Sequence, residues 1–318
     1  YLSIVFTGRN DNHGGDFTTR MRLCLLEFVR LCNKYLVDSE IILVEWNPPD
    51  ERPSLQDEIK DIFLDSAVPV RIITVAESIH MVYKYSDRLP MFQMIAKNVG
   101  IRRAYGEFIL VTNLDIIPSE ALISFLGKKS LNSRVIYRSI RKDVNNIILN
   151  NFQNNLSLLY ENFVIRINDY YGSKNISTGE YNACYPKNIE SISDKLGIFP
   201  VFSNACGDFQ LMDSQSWYHL RGYPELEMFS LHIDSLFEYM AVASGVKEQI
   251  LPDDMVVYHI EHGGGWCPES KDRTSIIDGL LTKKLRTLNY LECIVLNRWM
   301  KKYWKEFTFN SELWGHNG

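Results

Sequence analysis

The sequence predicts an α/β fold in which helices flank a mostly parallel sheet. Three observations predict it. Short apolar, β-rich runs recur along the first 115 residues, segments with helical periodicity lie between them, and the runs end in polar loops carrying glycine, proline or acidic residues. Strands that alternate with helices in this way build βαβ units. The 318 residues suffice for one large domain or two closely joined ones, at roughly 150 residues per domain.

The elements follow in order. Leu2–Thr7 reads as a buried strand that enters the glycine-rich loop Gly8–Gly15. Residues 16–36 carry Met21, Leu25, Val29 and Leu36 among apolar positions compatible with one helical face. Glu40–Glu45 is a second strand, stopped by Trp46-Asn-Pro-Pro-Asp50. A helix over Leu55–Phe63, a strand over Val70–Val75 and a helix over Met91–Tyr105, closed by Gly106, come next. Glu107–Thr112 is the fourth strand and ends at Asn113-Leu-Asp115.

Residues 128–200 are polar, rich in Asn, Ser and Tyr, and weakly periodic. They read either as a lid or acceptor-facing insertion, or as a variable surface excursion. Beyond them, Phe209–Met212 is a strand, 214–221 a helix, Gly222–Glu225 a turn, and Ser235–Ala243 a helix stopped by Gly245. A late strand, Met255–Tyr258, delivers His259 and His262 to the loop Gly263–Gly265. The remainder is helix-rich and aromatic.

Composition narrows the function classes. Net charge is −5 with no long basic block, which argues against nucleic acid as the main partner. No apolar run approaches the ~20 residues of a membrane helix, and the start lacks the pattern of a secretory leader. These features fit a cytoplasmic domain, and the first residue, Tyr1, fits one that is processed or cut from a longer protein. The six cysteines are scattered with no C-x-x-C pair, so a cysteine-built zinc site is not expected.

Ligands of open α/β sheets bind beyond the carboxyl ends of the strands. Standing there are Thr7 to Asp11, including Arg9, then Glu45, Asn113, Asp115, His259 and His262. Carboxylates and imidazoles without cysteine suit Mg²⁺ or Mn²⁺. Each residue also has a plain structural reading: a glycine turn, a helix-capping aspartate, a packed histidine. Neither a dinucleotide G-x-G-x-x-G nor a P-loop is present.

The stretch Ala96-Lys-Asn-Val-Gly-Ile-Arg-Arg-Ala-Tyr-Gly-Glu-Phe-Ile-Leu-Val-Thr-Asn-Leu-Asp115 resembles the centre of family 2-like, GT-A-fold glycosyltransferases, where such a helix and strand lead into a D-x-D motif. Trp217-Tyr-His-Leu-Arg-Gly-Tyr-Pro-Glu225 is similar to that family's helix and G-G-F-D-E turn. Asp234, eleven residues before Gly245, falls at the position of the family's catalytic base.

The resemblance implies a GT-A (Rossmann-like) domain over 1–265, with a nucleotide-binding half at 1–118 and an acceptor half at 119–265. Residues 266–318 would form a helical extension packed on it. It implies transfer of a sugar from a nucleotide-diphosphate donor, a UDP-sugar, to a carbohydrate acceptor hydroxyl, inverting with Asp234 as base. Thr7, Arg9, Glu45, Asn98, Asn113 and Asp115 would line the nucleotide site, and Asp208 would contact a sugar or act beside the base. Mn²⁺ or Mg²⁺ would be held by Asp115 with His259 or His262, while Gly263–Gly265 and Trp266 would form a flap and a stacking residue.

Two positions depart from the family. Asn113 replaces the first Asp of the D-x-D motif, and Ile233 replaces the Glu before the base. The alternatives are a retaining transferase on the same fold, a non-catalytic module binding a nucleotide sugar or glycan, and a sugar nucleotidyltransferase. The last should carry a basic glycine-rich loop directly after its first strand, whereas Gly14, Gly15 and Arg20 come late here.

Overall fold

The computed structural model describes residues 1–64, 66–154, 158–262, 278–303 and 308–316. Its strands in chain order are β1 (Leu2–Gly8), β2 (Ser39–Trp46), β3 (Val70–Val75), β4 (Phe108–Thr112), β5 (Ile116–Pro118), β6 (Val135–Arg138), β7 (Arg141–Val144), β8 (Val164–Asn168), β9 (Gly172–Asn175), β10 (Tyr181–Ala183), β11 (Phe209–Asp213), β12 (Lys247–Ile250) and β13 (Val257–Ile260). The main sheet has the order β12-β6-β11-β4-β1-β2-β3, and the second the order β10-β9-β8-β7-β13-β5. In the main sheet only β11 runs against its neighbours. The chain therefore builds the expected α/β architecture, a mostly parallel sheet flanked by helices.

Both faces of that sheet are covered. Leu2, Ile4 and Phe6 of β1 enter one apolar cluster and Val5 the other, because a pleated strand sends successive side chains to opposite faces. The helix Phe17–Lys34 covers the first face, and the helices Gln93–Arg102 and Ile233–Ala243 cover the second. Burial on both sides explains why these strands read as continuous apolar runs. The helix Tyr290–Tyr303 packs on Ile233–Ala243, and its Cys293 and Met300 join the second cluster together with Trp314. No helix of the described residues is long and apolar enough to cross a membrane.

Three differences from the sequence expectation bear on the site. The late strand sits two residues further on, at Val257–Ile260. Met255 N still donates to Pro252 O in a turn at 2.9 Å, so His259 lies inside the strand rather than beyond it. Second, the polar segment 128–200 is more than a surface excursion: it supplies β6 to the main sheet and β7 to β10 to the second. Its strands lack an apolar pattern because their buried positions hold Asp143, Arg166, Asn168 and Ser173, which bond to one another.

Third, the helix expected at Ser235 starts at Ile233, and its cap is His232 in the left-handed region, φ 63°. Asp234 is thus the second residue of the helix and not its cap. The proposed flap Gly263–Gly265 and Trp266 lie outside the described residues.

Candidate active site

Strand register assembles the first part of the site. β13 pairs in parallel with β7, which sets His259 opposite Asp143, and antiparallel with β5, which sets His259 opposite Ile116. Asp115 therefore stands beside the histidine strand, and Ile260 N donates to its carbonyl at 3.0 Å. The Asp115 carboxylate lies 3.0 Å from His262 Nε2 and 3.9 Å from His259 Nε2. One donor atom from each of Asp115, His259 and His262 falls within 4.8 Å of the other two.

These three groups fit a divalent ion on their chemistry. Asp115 Oδ1 is buried and has no hydrogen-bond partner among the described residues, a costly state for an ionised oxygen. Burial pushes the Asp115 carboxyl up, but the His262 contact and the neighbouring His259 hold it well below the usual carboxylate range. It is an anion under ordinary conditions. Two imidazole donors suit a transition ion such as Mn²⁺ better than Mg²⁺, which prefers an all-oxygen shell.

Behind the histidine stands an ion-pair network that sequence reasoning did not find. Asp143 Oδ1 lies 3.3 Å from His259 Nδ1. The same carboxylate pairs with Arg141 at 2.8 Å and Arg166 at 2.7 Å. Burial opposes its charge, yet the Arg141 guanidinium above all keeps it ionised, far below the usual value. The signal available in the sequence was Arg141 and Asp143 two apart, on one face of a strand.

Arg141 carries the network to the second part of the site. Its Nη1 lies 2.5 Å from Asp208 Oδ2, while Asp208 Oδ1 accepts from Asn113 Nδ2 at 2.6 Å. Asn113 Oδ1 in turn accepts from Gln93 Nε2 at 3.1 Å. The amide at the first D-x-D position thus serves Asp208 and not the Asp115 cluster. Because β11 is antiparallel to β4, with Phe209 opposite Thr112, Asp208 reaches the same sheet edge. Both its oxygens are engaged, by Asn113 and by Arg141.

Asp234 arrives from the helix Ile233–Ala243 and covers Gly207. A Cβ on Gly207 would stand 2.6 Å from Asp234 Oδ2, so glycine is what lets this carboxylate sit beside Asp208. Asp234 Oδ1 takes the Ser235 N–H at 2.9 Å. Beneath them the wholly buried Lys97 donates to Gly207 O at 2.7 Å. Burial lowers its pKa, and Asp208 and Asp234 act against that shift.

The remaining candidates are placed as follows. Thr7 is buried in β1 with an unpartnered Oγ1. Arg9 donates to Asn47 O at 2.6 Å and pairs with Asp11 at 3.2 Å. Glu45 is 1 % exposed, and its carboxylate takes the N–H of Leu55 at 2.7 Å, the start of the helix Leu55–Ile59. Asn98 is wholly buried and spends its amide on Tyr223 N, Tyr223 O and Glu225. Glu45 and Asn98 therefore brace the fold.

No family model matches the sequence, and no curated protein does. Among solved structures the chain is similar to a crystal structure of S. aureus TarS 1-349, with a TM-score of 0.45 and 13% identity over 93% of this chain and 71% of that one.

Proposed function

We propose that the chain transfers a sugar from a nucleoside-diphosphate donor, a UDP-sugar, to a carbohydrate hydroxyl. The observation that carries this reading is the convergence at one sheet edge of the Asp115–His259–His262 cluster with Asp234 and Asp208, on either side of Gly207. Ligands of such sheets lie beyond the carboxyl ends of the strands, and β4 delivers Asp115 there.

Asp115, His259 and His262 would hold Mn²⁺ or Mg²⁺. When bound, the ion would supply Lewis-acid stabilisation of a departing diphosphate, worth several kcal/mol. Asp143 decides which nitrogen His259 offers, since Nδ1 already faces its carboxylate. Asp234 accepts the proton of the acceptor hydroxyl as that oxygen attacks the anomeric carbon, and the configuration inverts. Lys97 places its amine under Gly207, beneath both carboxylates. A non-catalytic nucleotide-sugar module is the second reading. Ile233 favours it, because the position before the base is filled by a side chain 1 % exposed and locked in the core.

The deciding experiment measures nucleoside diphosphate release from UDP-, GDP- and dTDP-sugars, with and without Mn²⁺, for wild type and Asp115→Ala. Mn²⁺-dependent release from one donor, lost in the variant, supports transfer. Donor binding with no release, even with simple sugar acceptors present, selects the binding module. Failure to bind any nucleotide sinks both.

A further inference from the structure

Arg20 lies one turn inside the helix Phe17–Lys34 and is 2% exposed. Its Nη2 donates to His13 O at 2.5 Å. Its Nε and Nη1 are buried with no hydrogen-bond partner among the described residues. No carboxylate there stands within ion-pair distance; Asp115 and Asp16 act on it only through space. Guanidinium does not shed its proton in a protein, so it stays a cation, and an unpaired cation in this position is expensive.

Where the guanidinium points gives the reason. Long helical side chains lean toward the helix N-terminus, and here Asn12 Oδ1 accepts from the first N–H of the helix, that of Phe17, at 3.2 Å. Asp16 at the cap makes no side-chain cap bond, and the first turn holds no acidic residue. The loop before it turns left-handed at Asn12, Gly14, Gly15 and Asp16. It also sets the His13 ring against that of His262, centroids 5.6 Å apart. The same loop thus joins Arg20 to the Asp115 cluster. On one side stands an orphaned donor pair, on the other the orphaned acceptor Asp115 Oδ1, within electrostatic reach but not in contact.

A phosphate oxyanion satisfies both sides. It takes charge-assisted N–H bonds from a guanidinium, accepts from a helix N-terminus, and shares oxygens with a divalent ion. We propose that Arg20 and the N-terminus of its helix hold the terminal phosphate of a nucleoside diphosphate beside the Asp115–His259–His262 cluster. The residue then distinguishes diphosphate from monophosphate. This inference rests on the nucleotide-sugar reading for the source of the diphosphate, not for the oxyanion site.

The test is calorimetric binding of inorganic pyrophosphate, UDP and UMP in the presence of Mn²⁺. Wild type, Arg20→Gln and Arg20→Lys are compared, each checked for an unchanged thermal transition and for binding of Mn²⁺ alone. Arg20→Gln is expected to weaken pyrophosphate and UDP about 10- to 100-fold, as loss of a charged hydrogen-bond partner implies, and to leave UMP and Mn²⁺ alone unchanged. Arg20→Lys keeps the charge, loses the planar set of donors, and should fall between; it serves alone if Arg20→Gln does not fold. Equal weakening of UMP, or no change for pyrophosphate, overturns the proposal and makes Arg20 an anchor for the His13 carbonyl. Wild type that binds pyrophosphate but neither nucleotide keeps the oxyanion site and removes the nucleotide-sugar reading.

Discussion

Asp143 and His259 face each other across two parallel strands, Oδ1 to Nδ1 at 3.3 Å. The contact leaves Nε2 directed to Asp115, the arrangement in which a carboxylate fixes the tautomer of a metal-binding imidazole. Asp143→Asn keeps the shape but breaks the ion pairs with Arg141 and Arg166. Mn²⁺ affinity should fall about 10- to 100-fold while the far-ultraviolet circular dichroism stays as in wild type. Unchanged affinity, measured by calorimetry, would show that His259 does not bind the ion.

Asp234 and Asp208 flank Gly207, yet they should answer differently to mutation. Asp234→Asn removes the proposed base and should lower kcat about 10²- to 10⁴-fold with little change in donor affinity. Asp208→Asn cannot pair with Arg141 or accept in the same way from Asn113, so it should disturb donor binding as well as turnover. Equal kinetic effects of the two variants would remove the distinction between base and positioning group.

Much of this was legible in the sequence, and the exceptions share a cause. β1, β2 and β4 could be read because burial on both faces makes each an apolar run. Asp115, His259 and His262 could be named because a strand end followed by acid or imidazole is itself a pattern. Strands β7 to β9 of the second sheet could not be read: their buried positions carry Asp143, Arg166 and Asn168, and only pairing between strands makes those burials tolerable. Asn98 is harder to read for the opposite reason. It lies inside a family-like motif, but the space that a Cβ of Gly222 would occupy is filled by its amide, so its role is set by a turn 125 residues away.

That clamp predicts a stability defect rather than a binding defect. Asn98→Ala removes the acceptor of Tyr223 N and the donor to Tyr223 O and Glu225. Unsatisfied buried groups cost about 1–3 kcal/mol each, so a loss of roughly 2–4 kcal/mol is expected by urea unfolding. Gly222→Ala should be comparably harmful, because φ is +67° and its Cβ would collide with Asn98 Oδ1. Nucleotide affinity of the folded fraction should not move. A selective loss of affinity by Asn98→Ala, with stability intact, would return this residue to the binding site.

On the far edge of the main sheet, Arg138 pairs with Glu238 at 3.1 Å, and Glu248 accepts the N–H of Phe202 at 2.8 Å. One guanidinium serves two acids. Burial, and then the charge of Glu238, push the Glu248 carboxyl up from 4.5 to about 8. A carboxyl whose pKa is raised by folding stabilises fully below its unfolded value and loses that contribution as pH rises toward the folded one. Glu248 should therefore cost the fold progressively more between about pH 5 and pH 8, by at most about 1.4 kcal/mol per unit. Glu248→Gln keeps an acceptor for Phe202 and carries no charge. Its melting temperature should match wild type near about pH 5 and exceed it at about pH 8.5. Parallel melting curves across that range would show that Glu248 is ionised throughout and that Arg138 neutralises both acids.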